Sequence, residues 1–539
     1  MMEQLKDMIR KASRAKEIID ACSDQIKVVS HYDADGICSA AIMTKALIRR
    51  GKDFHLAFIQ QINEDILMEL EAEKRKVIIF LDLGSGYLND IKNYLNDSDV
   101  IICDHHQPVG DAGRNVTEIN SVSSGIDGNI SGAGVTYLLA RTMSSENIDL
   151  ASLAIVGAIG DSQIDSVGKD WGLNGLNMEI VKDAENKGKL KVSKGLRIWG
   201  RYSRPLHKAL QYSIDPYIPG ISGSESSAVQ FLTEIGIPVK KNDGEWNTIS
   251  DLTIDQQKRL ATEIIKERIR GNHNDPDVVF GDVYELLDKP GIFRDASEFA
   301  TVLNACGKMD RASLGVSVCL NRPDSFEEVK KVVEKYRSEI GKAISWIYRQ
   351  IDKKTERIRI MNGVYILAGD AISEHFISNA TSTVSHSGIL PDKPIFGLAN
   401  AERGIKISAR ASQELVDKGM RLNEIMNTIA SKYGTEGGGH MAASGATIPA
   451  GKEEEFIKMT EELISVREDG KKEETEAKEP EEKQEDAADK ANKDEEVIKT
   501  DNFIIYDNKN KEFESKEPID LSKIDMEGNE NGNEGKTQA

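Results

Sequence analysis

A chain of 539 residues with 39% hydrophobic content is too long for one ordinary domain and can bury two or three cores. No stretch approaches the roughly 18 consecutive apolar residues of a membrane span, and the opening residues mix charge with Leu, Ile and Ala without the apolar block of a secretory signal, so a soluble chain with no membrane partner is expected. The net charge of −20 would argue against a polyanionic partner if it were evenly spread, but much of it sits in the last seventy or so residues.

From residue 25 to about 179 strand and helix alternate. "QIKVVSH" is a short β-branched run, followed by an apolar-periodic helix over 37–50. "FHLAFI" is a second strand with a helix over 63–72. "KVIIFLDLG" is a third, nearly all apolar, as expected of a strand covered on both faces. "DVIICDHH" is the fourth, and helices follow at about 132–144 and 150–161. The alternation predicts an α/β fold with a doubly wound parallel sheet, whose ligands sit beyond the carboxyl ends of the strands. Residues 191–355 read as a mostly helical insertion with loops at "DPYIPGISGSESS" and "KKNDGEWN", ending in a long helix over 326–355. A second, smaller α/β module is expected over 356–467, with strands in "GVYILAG" and "PIFGLANAERGIKISAR", a helix over 415–433 and the glycine-rich "GTEGGGH". The first domain accordingly spans 1–190. Residues 468–539 form an acidic tail too poor in apolar side chains to offset its ordering entropy, and disorder is expected there. Its apolar island, 502–514, reads as a weakly structured remnant or as a docking motif that folds on a partner.

The strands stop abruptly at residues able to bind metal. The first ends in His31, Asp33 and Asp35, the third in Asp82, the fourth in Asp104, His105 and His106, and the helix after 150 in Asp161. A lone Asp at a strand end is usually a helix cap. Three strand ends on one sheet edge, all carrying Asp or His, are a different matter, because the carboxylates would repel one another unless cations neutralised them. Mixed Asp and His ligation suits Mn²⁺, with Mg²⁺ the other possibility. The ligands suffice for two ions about 3.5–4 Å apart sharing a carboxylate, the arrangement that activates water and clamps a phosphoryl group. The cysteines (Cys22, Cys38, Cys103, Cys306, Cys319) are scattered without a CxxC, which is the usage of a reduced compartment, and a cytoplasmic protein is expected.

"SHYDADG", "LDLG", "CDHH" and "GAIGD", in this order, resemble the successive motifs of the DHH phosphoesterase superfamily, and "KISAR" with "GGGH" resembles the companion DHHA1 domain. "FATVLNACGKMDRASLGVSVCL" and "GLRIWGRYSRPLHKAL" are similar to segments of archaeal RecJ-like proteins, a branch related to the replication factor Cdc45. The resemblance implies one metal held by His31, Asp33 and Asp82, and a second held by Asp35, Asp82, His105 and Asp161, with Asp82 bridging. It implies that Asp104 orients the histidines and that His106 faces the scissile phosphate, as the catalytic residues beside Asp82. Gly36 is expected to permit a tight turn into the following helix.

Gly437, Gly438 and Gly439, with His440, let backbone approach a ligand and offer N–H groups to phosphate, while Ser408 and Arg410 are expected to share substrate binding. Asn304, Cys306 and Arg311 receive no role. Arg197, Trp199, Arg201, Tyr202 and Arg204 combine cations with rings, as single-strand binding requires, although such stretches also serve as ordinary solvated helix faces. The expected function is therefore a RecJ-like exonuclease that hydrolyses single-stranded DNA or RNA by two-metal-activated water, in DNA repair or replication. A phosphodiesterase acting on dinucleotides or short oligonucleotides, and a Cdc45-like component of a replication complex that meets replication or repair proteins through the acidic tail, are the competing readings.

Overall fold

The computed structural model describes residues 2–476 except 127–129, 168–169, 214–215, 272–275, 403 and 436. The acidic tail beyond 476, with its apolar island, lies outside the described residues. In the first module α1 (Met2–Ala21) precedes β1 (Ile26–His31), α2 (Ala34–Arg49), β2 (Phe54–Ile59), α3 (Glu64–Ala72), β3 (Val77–Leu81), α4 (Leu88–Tyr94), β4 (Asp99–Asp104), β5 (Val116–Asn120), α5 (Gly132–Met143) and α6 (Ala151–Gly160). All five strands are parallel, in the order β2-β1-β3-β4-β5. The order reverses between β1 and β3, which opens a crevice at their carboxyl ends. One face packs Ile26, Val28, Ile79 and Ile101 against α1, α2, α5 and α6; the other packs Val29, Ile78, Phe80 and Ile102 against α3 and α4. Period-two alternation along each strand fills both faces with aliphatic side chains. The fifth strand was not anticipated from the sequence, because "VTEIN" has little apolar content of its own.

The middle region holds the short β6 (Asp165–Val167) and β7 (Asp170–Gly172), then α7 (Leu176–Asn186), β8 (Leu190–Leu196), α8 (Leu206–Gln211), α9 (Glu225–Glu234), α10 (Ile254–Arg270), β9 (Phe280–Leu286), α11 (Ala296–Lys308), α12 (Ala312–Cys319) and the 30-residue α13 (Pro323–Asp352). Residues 196–279 enclose a core of their own around Leu206, Leu232 and Leu260. By contrast, α11–α13 join the core of the first sheet, and that same cluster continues into the second module through Val364, Ile366 and Ala380. The second module comprises β10 (Ile358–Ile360), β11 (Val364–Gly369), α14 (Glu374–His386), β12 (Ile395–Ala401), β13 (Gly404–Arg410), α15 (Gln413–Asp417), α16 (Leu422–Tyr433), β14 (Gly437–Gly439), β15 (Ala443–Ile448) and α17 (Glu453–Glu476). Its mixed sheet runs β10-β11-β12-β13-β15-β14, with α14 on one face and α16 and α17 on the other. The helix expected over 415–433 is broken in two at 418–421, and the glycine run is an edge strand paired with β15 rather than a loop. No helix among the described residues is long and apolar enough to cross a membrane, and the five cysteines are free and buried.

The insertion is pinned to α11 by Glu298, which is 1% exposed and accepts from Gly200 N at 3.1 Å and Ser203 Oγ at 2.7 Å. Burial, with repulsion from Asp295, pushes its carboxyl up to about 7. An acid that holds its proton more tightly folded than unfolded stabilises the fold fully below its ordinary pKa, and that contribution is lost as pH rises through about 7. Glu298→Gln is expected to flatten the decline in stability between about pH 5 and pH 8, by up to roughly 3 kcal/mol. Urea denaturation of both proteins across that range checks it; parallel pH profiles would contradict it.

Candidate metal centre

Each strand-end residue reaches the crevice through a local device. Asp33 caps α2, its Oδ1 accepting from Gly36 N at 3.0 Å, and the same oxygen lies 3.1 Å from His31 Nδ1. The cap and the metal-binding position are thus the same carboxylate. Gly36 is required by close approach and not by its turn conformation: a Cβ there would lie 2.1 Å from His31 O. Asp35, one residue into the helix, is buried and accepts from the first N–H groups of α5, Gly132 N at 2.7 Å and Ala133 N at 3.0 Å. Asp82 follows β3 with φ +59°, a left-handed conformation uncommon outside glycine, and is 3% exposed. Asp104 accepts from the backbone N–H of His105 at 2.7 Å and of His106 at 3.2 Å through Oδ1, and from Ser85 N at 2.9 Å through Oδ2. It also holds His106 Nδ1 at 2.7 Å, which leaves Nε2 of that half-exposed ring as its outward-facing nitrogen.

The sequence-predicted residues converge on one another. His31 Nδ1 lies 3.4 Å from Asp82 Oδ2; His105 Nε2 lies 3.4 Å from Asp82 Oδ1, 3.6 Å from Asp161 Oδ2 and 3.9 Å from Asp35 Oδ2. Ligand atoms of His31, Asp33 and Asp82, and of Asp35, His105 and Asp161, fall within 4.8 Å of one another. Asp82 Oδ1 and His105 Nε2 are buried and neither has a hydrogen-bond partner, although they face each other. A cation between them would satisfy both atoms, so the donor set fits divalent metal. The electrostatics agree. Burial opposes ionisation of Asp35, and repulsion from Asp82 and Asp161 holds its pKa well above the carboxylate range. Burial pulls His105 down, but Asp82, Asp35 and Asp161 outweigh it and lift the ring to about 10. Protonated histidine here is the only positive charge the cluster itself can supply.

The second module brings Arg410 and Lys406 close to Lys308, which also interacts with Asp33 of this cluster. Register aligns Gly397, Ser408, Gly445 and Gly438 in one row across β12, β13, β15 and β14. Ser408 Oγ is buried without a partner. Arg410, two residues along the same strand face, is held by Ser378 Oγ at 2.8 Å. Lys406 lines the cleft between the modules, a cavity of about 1650 Å³ whose other charged lining residues are acids, among them Glu64, Asp65, Asp90, Glu374 and Glu402. Gly438 has open space where a side chain would project, and His440 is exposed beside it. Of the five basic-segment residues, Arg201 is buried and bonded to Leu196 O and Gln257 Oε1, and Arg197 stacks on Trp171 and bonds Val278 O. Tyr202 is half-buried with Arg294 over its ring, and Trp199 and Arg204 stack on each other.

Sequence reasoning missed α11. Asn304 Oδ1 accepts from Ala34 N at 2.8 Å, and a Cβ on Gly307 would lie 1.9 Å from Tyr32 O, so this helix presses on the first motif. Lys308, at its end, donates to Asn379 Oδ1 at 2.6 Å. Burial and Arg410 lower it to about 8 against the pull of Asp33, with Lys406 adding to the decrease. No local signal marks these residues, since their partners lie in other modules.

Comparison with known proteins agrees with this geometry. Residues 25–158 match the DHH family, N-terminal domain, 198–278 the DHH-CID domain and 386–466 the DHHA1 domain. The uncharacterized protein MJ0831 of Methanocaldococcus jannaschii is 31% identical over 475 residues, covering 86% of this chain and 99% of that protein. The single-stranded-DNA-specific exonuclease RecJ of Thermus thermophilus is 28% identical over 223 residues, or 39% of this chain and 32% of the exonuclease. In fold, the chain is similar to the Mn²⁺ complex of Thermus thermophilus RecJ (TM-score 0.51, 16% identity, 85% of this chain and 55% of that one). It is also similar to CDC45 from Entamoeba histolytica (TM-score 0.54, 11% identity, 86% and 98%). The chain belongs to the DHH/DHHA1 phosphoesterase superfamily. It is a DHH phosphoesterase with a divalent-metal site typical of that family, and its fold is similar to those of RecJ and CDC45.

A Cβ on Gly132 would lie 2.5 Å from Asp82 Oδ1. Gly132→Ala, which removes no ligand, is expected to weaken Mn²⁺ binding about 10- to 100-fold by displacing that oxygen. Wild-type protein should gain about 2.7 kcal/mol of stability at Mn²⁺ a hundredfold above Kd, and the variant much less at the same concentration. Calorimetric titration with thermal melts checks both; wild-type affinity in the variant would refute the crowding argument.

Proposed function

We propose that the protein is a two-metal phosphodiesterase that removes nucleotides from an end of single-stranded DNA or RNA. The observation that carries the reading is that Lys308 lies among Asp33 of the acid–histidine cluster and Arg410 and Lys406 of the second module, whose strand also carries the unpartnered Ser408 hydroxyl. Cations on one side and metal-binding carboxylates on the other suit a phosphodiester held between them.

His31, Asp33 and Asp82 would hold one ion, and Asp35, Asp82, His105 and Asp161 the other, with Mn²⁺ preferred and Mg²⁺ accepted. When bound, the ions supply Lewis acidity to the phosphoryl oxygens and a water of lowered pKa. Ser408 and Arg410, with backbone N–H groups of the glycine strand, orient the phosphate. Asp104 fixes the His106 ring, and its hydrogen bond to Nδ1, against the effect of burial, raises the ring's pKa. This favours the doubly protonated ring, whose Nε2–H would neutralise the phosphate or donate to the leaving oxygen. The similarity to RecJ supports an exonuclease acting on single strands.

End-labelled single-stranded DNA and RNA, digested with Mn²⁺ beside duplex and dinucleotide controls, should shorten progressively from one end while duplex persists. Cleavage of the dinucleotide alone would replace this reading with the short-substrate one. Asp82→Ala should lower turnover at least about a thousandfold and His106→Gln about a hundredfold or more. Wild-type turnover in Asp82→Ala would refute the two-metal assignment.

A further inference from the structure

A second cationic feature lies away from the metal centre, where the insertion meets α13. The Arg204 Cζ sits 4.0 Å from the centre of the Trp199 ring, and the Arg337 Cζ, from α13, sits 4.6 Å from the same ring. Arg204 also lies 4.9 Å from the ring of Tyr212, which is 54% exposed. Among the described residues neither guanidinium is hydrogen-bonded to a carboxylate, although Glu298 attracts both and Glu334 attracts Arg337, and the Trp199 Nε1 is buried without a partner. The nearby acid, Glu298, has both oxygens engaged by Gly200 N and Ser203 Oγ. Two guanidiniums gathered on one indole repel each other, and burial with that repulsion lowers Arg204 to about 10 against the pull of Glu298. A phosphate beside either guanidinium would offset that repulsion, and contact with the indole already restrains both side chains.

The position matters as much as the chemistry. Glu298, which holds the Trp199 loop, and Lys308, at the metal cleft, stand on the same helix ten residues apart. At 1.5 Å per residue these two positions stand about 15 Å apart along the helix. A stacked single strand covers this in four or five nucleotides at about 3.4 Å each. The cleft between the modules that Lys406 lines also carries Glu64, Asp65, Asp90, Glu374 and Glu402, which repel a polyanion. The side towards α11 and α13 is therefore the favourable approach.

We infer that Arg204, Arg337, Trp199 and Tyr212 form a backbone-binding site for a single strand, engaging phosphate about four nucleotides from the scissile bond, with Tyr212 offering a ring for a base. This rests on the proposed polymer substrate and deepens it: long strands gain an anchor that dinucleotides cannot reach. An arginine acting only as packing would not change the salt dependence of binding, whereas loss of a phosphate contact to a single strand lowers the slope of log K against log salt by about 0.7.

The test uses the full chain in EDTA and fluorescein-labelled oligothymidylates of about 4 and about 20 nucleotides, followed by anisotropy over a range of KCl. Wild-type protein should bind the longer strand more tightly. Arg337→Ala and Arg204→Gln should each weaken that binding about tenfold and reduce the salt slope by about 0.7. Arg337 is exposed on α13, so Arg337→Ala and Arg337→Glu test the site without risk to the core. If the wild type prefers the longer strand and the Arg337 variants match it in affinity and slope, the anchor is refuted and the proposed function stands. If the wild type shows no preference for length and cleaves only the dinucleotide, the polymer reading falls and the anchor falls with it.

Discussion

Four carboxylates, from Asp33, Asp35, Asp82 and Asp161, meet the His31 and His105 imidazoles at the carboxyl edge of a parallel sheet, and the surrounding structure is arranged around the cost of placing them there. Removing a carboxylate from water costs several kcal/mol unless something compensates. The fold compensates each one differently. Asp35 receives two backbone N–H groups at the positive end of α5, Asp33 caps α2, and Asp82 faces the two imidazoles while two of their buried atoms remain unbonded. The residual negative potential is what makes the site demand divalent cations.

A charge cluster of this kind is useful only if the phosphate-binding groups stay in register with it, and here packing takes over from electrostatics. One apolar cluster runs from under the first sheet through α11–α13 to Val364, Ile366 and Ala380 of the second module. Because interiors are close-packed, that shared core ties the basic face of β13 to the acid cluster as one body. The insertion over 196–279 has a separate core and attaches through few polar contacts, notably those to Glu298.

Much of the first module was legible in the sequence because β1, β3 and β4 each carry their own signal: a short apolar run that stops at an Asp or His. His31, Asp33, Asp35, Asp82, Asp104, His105 and His106 were named on that basis and Asp161 from the end of α6, and all reach one crevice. The fifth strand was not legible, since Thr117 and Glu118 interrupt the run and only pairing with β4 makes it a strand. The glycine run read as a loop for a related reason: Gly437–Gly439 has no intrinsic preference for extended structure, and β15 imposes it.

Local pattern thus determined the modules, their order and the chemistry at the strand ends, because periodicity and abrupt breaks in it act over a few residues. Tertiary structure alone decided what faces that chemistry. Asn304 against Ala34, Gly307 against Tyr32, Lys308 beside Asn379 and Arg337 over Trp199 join residues far apart in the chain. Such contacts exist only after the shared core has closed long loops. They follow from packing geometry, which leaves no mark in the local run of residue types.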